Sequence, residues 1–156
     1  MAASVNMKSV GIVDVTAGPG VTIVAPSNLY GCTLGADVFV GPFVEIQKAV
    51  TIGARTKVQS HSFICELVTI GSDCFIGHGV MFVNDRFASG GPARGDKTKW
   101  EATTIGDRVS IGSNATIMPV AICDDVVIGA GAVVTKAIDR PGTYAGNPAR
   151  LLRAHR

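Results

Sequence analysis

An apolar side chain returns at every sixth position through the middle of this chain. The positions are Leu34, Val40, Ile46, Ile52, Val58, Ile64, Ile70, Ile76 and Phe82. A second series of small or branched residues follows four positions later, and glycine comes directly after many members of the first series. A fixed short period has to be explained before any single strand or helix is assigned. It constrains the fold more than any other feature of the sequence.

A six-residue period fits neither an amphipathic helix nor a simple alternating strand. It fits a short strand followed by a tight corner, because glycine tolerates backbone conformations that other residues resist. Three such units make one triangular coil of about 18 residues, and successive coils stack with their strands in parallel. We therefore predict an all-β fold, a parallel β-helix of hexapeptide repeats, as one domain over residues 1–156.

The repeat is interrupted once and ends before the end of the chain. It stops at Asn84, and residues 84–102 carry glycine, proline and many charges without an inward aliphatic period. A loop of this length in a fold built from short turns is either functional or disordered. In solenoid proteins, such loops often leave from the binding face. After the last coil, residues 141–156 form a tail for which we predict one short helical turn.

Composition excludes several classes of protein. Hydrophobic residues make up 47% and charged residues 17%, which is too apolar for a disordered chain. The net charge of +2 and the absence of a basic run interleaved with aromatics argue against nucleic-acid binding. Neither a targeting signal nor an apolar run of membrane-spanning length is seen, so we expect a cytoplasmic protein without membrane insertion. The four cysteines lack the Cys-x-x-Cys spacing, so we expect buried, reduced thiols.

The repeat and three further segments resemble the hexapeptide-repeat acyltransferases. Residues 145–150, Ala-Gly-Asn-Pro-Ala-Arg, are similar to a signature that follows the last coil in many members that use acetyl-CoA. Residues 77–86 (GHGVMFVNDR) and 43–71 resemble a subgroup that acetylates the amino group of a nucleotide-linked 3-amino sugar. The resemblance implies a left-handed β-helix and, usually, a homotrimer.

Within this subgroup the asparagine of the Asn-Asp pair contacts the sugar, and an arginine of the following loop contacts the substrate. The resemblance therefore assigns substrate contacts to Asn84 and Arg94, although the usual arginine lies closer to the pair. Asp85 and Arg86 complete the motif, and Glu66 lies one coil below Asn84 by 18-residue stacking. We expect all five to bind the substrate. Without the resemblance, an Asn-Asp pair that simply forms the turn is the simpler interpretation.

Acetyl transfer from a thioester to an amine needs a neutral amine near the carbonyl and a stabilised oxyanion. His78 and His61 are candidate bases because imidazole titrates near neutral pH. They lie 17 residues apart, about one coil, which predicts neighbouring levels of one corner. A corner histidine bonded to backbone is the alternative for each, and some members of the subgroup use no protein base. We assign catalysis to Asn84 and His78, and substrate binding to His61.

The resemblance implies that coenzyme A binds along the last coils and the tail. Small residues let a pantetheine arm run close to backbone amides. Arginines at every third position of the tail, up to Arg156, offer cations to the nucleotide phosphates. The cofactor-binding residues we predict are Gly112, Ala130, Asn147, Pro148, Arg150 and Arg153. Taken without the motif, a basic C-terminus is a solvated tail.

These features favour an N-acetyltransferase that moves acetyl from acetyl-CoA to a UDP- or dTDP-linked 3-amino sugar for surface glycan precursors. Coenzyme A would lie between neighbouring subunits. In the loop, Lys97 and Lys99 either bind a diphosphate, with Trp100 against the base, or all three residues are solvated. The main alternative is a sugar or small-molecule O-acetyltransferase with His78 as the base. A non-catalytic scaffold would not need residues 84–102, and a zinc enzyme of this fold would need a third histidine besides the terminal His155. We therefore expect no metal.

Overall fold

The chain winds through about seven coils of a left-handed parallel β-helix, which confirms the predicted fold class. The structure, a computed structural model, describes residue 6 and residues 9–155. Three sheets of seven, six and eight strands form the faces of a three-sided prism, which we call faces A, B and C. All strands are parallel except the last strand of face C. The first six coils contribute one short strand to each face in turn, and the last coil contributes none to face B.

The strands are two to five residues long. Face A holds β1 (Ile12–Val13), β4 (Asn28–Tyr30), β7 (Glu45–Ile46), β10 (Phe63–Ile64), β13 (Met81–Phe82), β16 (Thr116–Ile117) and β19 (Val133–Val134). Face B holds β2 (Thr16–Ala17), β5 (Thr33–Leu34), β8 (Thr51–Ile52), β11 (Val68–Ile70), β14 (Thr103–Ile105) and β17 (Ala121–Ile122). Face C holds β3 (Thr22–Ile23), β6 (Phe39–Val40), β9 (Lys57–Val58), β12 (Phe75–Ile76), β15 (Ser110–Ile111), β18 (Val126–Ile128), β20 (Gly142–Ala145) and β21 (Arg150–Ala154).

The predicted inward residues form the core. All nine residues of the six-residue series are at most 1% exposed. They stack in register along each face, for example Ile46 beside Ile64 and Val58 beside Ile76. Parallel strands without a helical cover need this alternation, because one side of every strand faces water. The burial of the series is therefore what sets the register of the coils.

Three corners join the faces, and each is named after what it carries. The histidine corner joins face C to face A and includes turns 59–62, 77–80, 112–115 and 129–132. The loop corner joins face A to face B and includes turns 47–50 and 65–67 and the long loop 83–102. The ion-pair corner joins face B to face C and includes turns 53–56, 71–74, 106–109 and 123–125. The long loop contains one 3-10 helix, Lys97–Lys99.

The tail does not form the predicted helical turn. Strand β21 pairs antiparallel with β20, and a bulge interrupts the pairing between Thr143 and Tyr144. The open edge of β20 offers backbone partners to residues 150–154 that an isolated helical turn lacks, so pairing at the edge overrides local preference. Among the described residues, no helix is long and apolar enough to cross a membrane.

The four cysteines are free thiols, as the spacing predicts. Cys32, Cys65 and Cys74 are buried, and Cys123 is half-buried. Burial raises the pKa of Cys65 to about 11, so its thiol stays protonated near neutral pH. A buried thiol of raised pKa is a poor nucleophile, so Cys65 serves as part of the core.

Candidate active site

The predicted site residues divide between two corners at opposite ends of face A. The histidine corner and the segment above it carry His61, His78, Gly112, Ala130, Asn147 and Pro148. The loop corner carries Glu66, Asn84, Asp85, Arg86 and Arg94. In one chain His78 and Asn84 are six residues apart with β13 between them, so their Cα atoms lie at most about 20 Å apart. The two predicted catalytic side chains lie on different corners, and no hydrogen bond joins them among the described residues.

The two histidines occupy neighbouring coils of one corner, as their spacing predicts. The amide of Gly79 donates to the carbonyl of Ser60 (3.0 Å), which stacks turn 77–80 on turn 59–62. The hydroxyl of Ser60 lies 2.9 Å from Nδ1 of His78. The ring of His61 packs against Phe43 with 4.9 Å between ring centroids. Both imidazoles are exposed, so each can meet a ligand that lies along this edge.

Gly112 and Ala130 continue the same edge above His78. A Cβ atom at Gly112 would lie 2.4 Å from the amide nitrogen of Ala130, so the close stacking of these turns requires glycine. The amide of Gly112 is already used, because it donates to the carbonyl of Ile128 (2.8 Å). The N–H and C=O groups of Ala130 have no partner among residues 9–155. Of the two predicted positions, Ala130 is the one with backbone groups free to bond a ligand.

The signature at the end of the coils extends this edge by one further level. The amide of Val133 donates to the carbonyl of Gly146 (2.9 Å), and the amide of Ala149 donates to the carbonyl of Val133 (2.8 Å). Asn147 and Pro148, joined by a cis peptide bond, lie exposed between these two anchors. The signature therefore lies directly above turn 129–132.

The bulge in the last hairpin brings the two tail arginines to one side. Arg150 lies opposite Ala145, and Arg153 lies opposite Thr143. Positions 143 and 145 share the outer side of β20, since they flank the buried Tyr144. The arginines therefore share a face without the helical spacing that the sequence suggested. Arg156 lies outside the described residues.

At the loop corner, Asn84 is held by the coil below it. Its Nδ2 donates to the carbonyl of Glu66 (3.2 Å), and its own carbonyl accepts from the amide of Glu101 (2.8 Å). A carbonyl oxygen can only accept, so the contact with Glu66 fixes which way the amide group points. The half-buried Asn84 therefore turns its Oδ1 away from the coil, where it can accept a hydrogen bond from a ligand.

Asp85 and Arg86 hold the loop in place. The two carboxylate oxygens of Asp85 accept from the amides of Phe87 (2.8 Å) and Ala93 (2.7 Å). Arg86 donates to the carboxylate of Glu101 (3.2 Å) and to the carbonyl of Pro119. These contacts occupy both side chains, so the turn-forming interpretation of Asp85 agrees with its geometry.

Glu66 joins the loop to the coil through Lys97. The ammonium group of Lys97 lies 2.8 and 2.7 Å from the two oxygens of Glu66, and 5.0 Å from the ring centroid of Trp100. The Glu66 side chain is only 13% exposed, so this pair is better shielded than the other ion pairs among the described residues. Lys97 and Glu66 therefore position the loop.

Sequence reasoning missed Ser60, which lies 18 residues before His78 and beneath it. The stacking period was enough to find this contact. His155 is remote from the other two histidines, because its Nδ1 donates to the carbonyl of Asp125 (3.0 Å) and its Nε2 lies 3.0 Å from the hydroxyl of Thr143. The three histidines do not converge, as a zinc site of this fold would need.

Two family models match the repeat. Residues 31–66 match the family described as bacterial transferase hexapeptide (six repeats), and residues 102–136 match the hexapeptide repeat of succinyl-transferase. Residues 31–66 and 102–136 therefore consist of hexapeptide repeats of this family. The two matches lie on either side of the long loop, so the loop is an insertion between two blocks of family coils.

A curated relative of this hexapeptide-repeat protein is the bifunctional protein GlmU of Limosilactobacillus fermentum. It is 39% identical over 108 residues, which are 69% of this chain and 21% of the relative. This chain spans only between 21% and 28% of the length of six curated relatives that it matches.

Two solved structures share the fold. A mutant of AntD, an N-acyltransferase from Bacillus cereus in complex with dTDP and coenzyme A, has a TM-score of 0.80 and 22% identity over 90% of this chain and 83% of that chain. A hexapeptide-repeat acetyltransferase from Vibrio cholerae O1 biovar eltor, complexed with acetyl coenzyme A, has a TM-score of 0.66 and 25% identity, covering 81% of this chain and 72% of that chain.

Proposed function

We propose that this protein is an N-acetyltransferase that moves acetyl from acetyl-CoA to the 3-amino group of a nucleotide-diphosphate sugar. One observation carries the proposal: His78, Gly112, Ala130 and the Gly146–Pro148 segment lie on successive levels of one edge. Coils are about 4.8 Å apart, so two levels separate Ala130 from His78 by about 10 Å. An extended pantetheine arm bonded at Ala130 would bring its thioester towards His78.

The sugar would be held by the loop corner. Oδ1 of Asn84 would accept an N–H bond from the sugar amine and so orient its lone pair towards the thioester carbonyl. The nitrogen then attacks this carbon, the C–S bond breaks, and the leaving thiolate or His78 takes the amine proton. Known ligands of the similar proteins agree with this chemistry, since AntD was crystallised with dTDP and coenzyme A. Surface glycan precursors are the products we infer.

A complete site then needs two subunits. His78 and Asn84 lie at opposite ends of face A in one chain. Symmetric packing of three-sided prisms brings different corners of neighbouring subunits together. We propose a homotrimer in which coenzyme A lies between the histidine corner of one subunit and the loop corner of the next.

The test is thiol release from acetyl-CoA with a panel of acceptors. The panel pairs each UDP- or dTDP-linked 3-amino sugar with the same sugar carrying a 3-hydroxyl group. We expect turnover with the amino sugars and none with their hydroxyl partners. If no acceptor of the panel causes thiol release and calorimetry detects no coenzyme A binding, the transferase proposal is wrong and a non-catalytic scaffold is left.

O-acetylation is the second candidate, and the contact between Ser60 and His78 favours it. If Nδ1–H of His78 donates to the Ser60 hydroxyl (2.9 Å), Nε2 is left as a proton acceptor. A hydroxyl acceptor needs such a base more than an amine does, because a neutral amine is already nucleophilic. Turnover with the hydroxyl sugars alone would establish this candidate.

A further inference from the structure

The long loop forms an open surface cavity of about 420 Å³ next to the predicted sugar site. Residues 89–94 and Lys99 line it. The amide of Ala93 donates to Asp85 (2.7 Å), which ties the wall of the cavity to the residue that follows Asn84. A group bound in the cavity would therefore lie beside a sugar held by Asn84.

The cations of the loop corner divide into committed and uncommitted groups. Arg86 is bound to Glu101 and to a backbone carbonyl, and Lys97 is bound to both oxygens of Glu66. Lys99 has one long contact, 3.9 Å to Asp96. Arg94 makes no side-chain hydrogen bond or ion pair to any residue the structure describes.

We propose that Arg94 and Lys99 bind the diphosphate of the nucleotide sugar in this cavity, a proposal that rests on the proposed function. Both uncommitted cations line the same space, and an arginine fork and an ammonium group suit phosphate oxygens. The amides of Gly91 and Arg94 donate to no other atom in the described part of the chain. With no side chain at Gly90 or Gly91, a phosphate can approach these amides closely.

This set of groups favours a diphosphate over a sugar carboxylate. One carboxylate has two oxygens and is satisfied by a single arginine fork. A diphosphate carries more charge and more acceptor oxygens, and so engages two separate cations and backbone amides at once. Lys97, which the sequence offered equally for this role, does not line the cavity and is paired with Glu66.

Calorimetry with UDP, dTDP and the corresponding monophosphates tests the proposal. We expect the wild-type protein to bind diphosphates more tightly than monophosphates. Arg94→Gln and Lys99→Gln should each weaken diphosphate binding about tenfold to hundredfold and remove most of that preference. Arg94→Lys should fall between, because it keeps the charge and loses the fork. Lys57→Gln, an exposed lysine of β9 on face C, makes the same charge change and should bind like wild type.

Coenzyme A binding and thermal unfolding are measured on every variant, and both should be unchanged. Unchanged UDP and dTDP binding in Arg94→Gln and Lys99→Gln, with acetyl transfer still active in the wild type, would overturn the diphosphate site and leave the transferase standing. A loss confined to sugars that carry a carboxylate would also overturn it. Conversely, diphosphate binding that depends on Arg94 in a protein that transfers no acetyl group would support the cavity while the proposed function fails.

Discussion

The ion-pair corner and the histidine corner share one backbone conformation but differ in what their side chains contact. Each of the four turns named above for either corner places one residue in the left-handed region, which favours glycine. At the ion-pair corner these residues include Arg55, Asp73, Arg108 and Asp125, with φ between 56° and 60°. At the histidine corner they include His61, Gly79, Asn114 and Gly131, with φ between 60° and 68°.

The side chains make the difference. Along the ion-pair corner, opposite charges alternate from coil to coil and satisfy one another. Arg55 forms two bonds of 2.7 Å to Asp73, and Arg108 forms bonds of 2.7 and 2.8 Å to Asp125. The residues of the histidine corner carry no such ion pairs. The imidazoles of His61 and His78 are exposed there, and the backbone groups of Ala130 have no partner among residues 9–155. A corner that satisfies its own polar groups stabilises the coil, and one that leaves them free can form a site.

The largest effect we expect comes from removing the imidazole at the histidine corner. His78→Ala should lower kcat about a hundredfold, the lower end of what a general base contributes. It should leave the unfolding temperature unchanged, because the exposed side chain contacts one hydroxyl group, that of Ser60. Steady-state kinetics with the accepted amino sugar and thermal unfolding measure the two effects.

Mixing subunits sharpens the same experiment. Asn84→Ala should also be nearly inactive, yet mixed trimers of the two variants should recover part of the activity, because some interfaces then pair an intact His78 with an intact Asn84. Full activity of His78→Ala would remove the histidine corner from catalysis. Absence of recovery in mixed trimers would place both side chains in one subunit's site.

The next largest effect distinguishes two reasons for glycine on the histidine corner, which are lack of space at Gly112 and a left-handed conformation at Gly131. Gly112→Ala should destabilise the protein by about 1 to 3 kcal/mol, because its Cβ would meet the backbone of Ala130 at 2.4 Å. Gly131→Ala meets no atom within 4 Å and has only its φ of 68° to oppose it, which costs about 1 kcal/mol. Chemical denaturation compares the two variants. A loss at Gly112 no larger than the loss at Gly131 would mean that the coils shift to accept the added Cβ atom, so that close stacking does not require glycine at position 112.

The sequence was informative wherever the period itself decides the structure. The nine apolar residues had to point inward together. Burial, register and the placing of His61 and His78 on neighbouring coils of one corner therefore followed from counting. The alternating charges Asp37, Arg55 and Asp73 also recur every 18 residues, and the same counting would have predicted the ion-pair corner.

The site was less predictable where contacts are not periodic. The bond between Lys97 and Glu66 joins residues 31 apart through a loop whose path no repeat dictates. The strand at residues 150–154 depends on the free edge of β20, which local propensity does not include. Such contacts are set by the closed structure, so the division of the loop cations into bound and free groups required coordinates.

The smallest effect that we expect concerns the ion-pair corner. Arg55→Gln should lower the unfolding temperature by no more than a few degrees, since Arg55 and Asp73 are both well exposed, and added salt should reduce the loss. Activity should be unchanged. Lys57→Gln again serves as the control for charge.

The stability difference between wild type and Arg55→Gln should depend on pH. Hydrogen bonds from the Arg55 guanidinium hold the pKa of Asp73 below its ordinary value. A depressed carboxyl pKa adds stability above the unfolded pKa of about 3.9, and this contribution is lost as the pH falls through the folded pKa. The gap between wild type and Arg55→Gln should therefore be complete at pH 7 and close below about pH 4. A stability difference that stays constant across this pH range would mean that Arg55 stabilises the corner by packing. The contrast between the ion-pair corner and the histidine corner would then have no electrostatic basis.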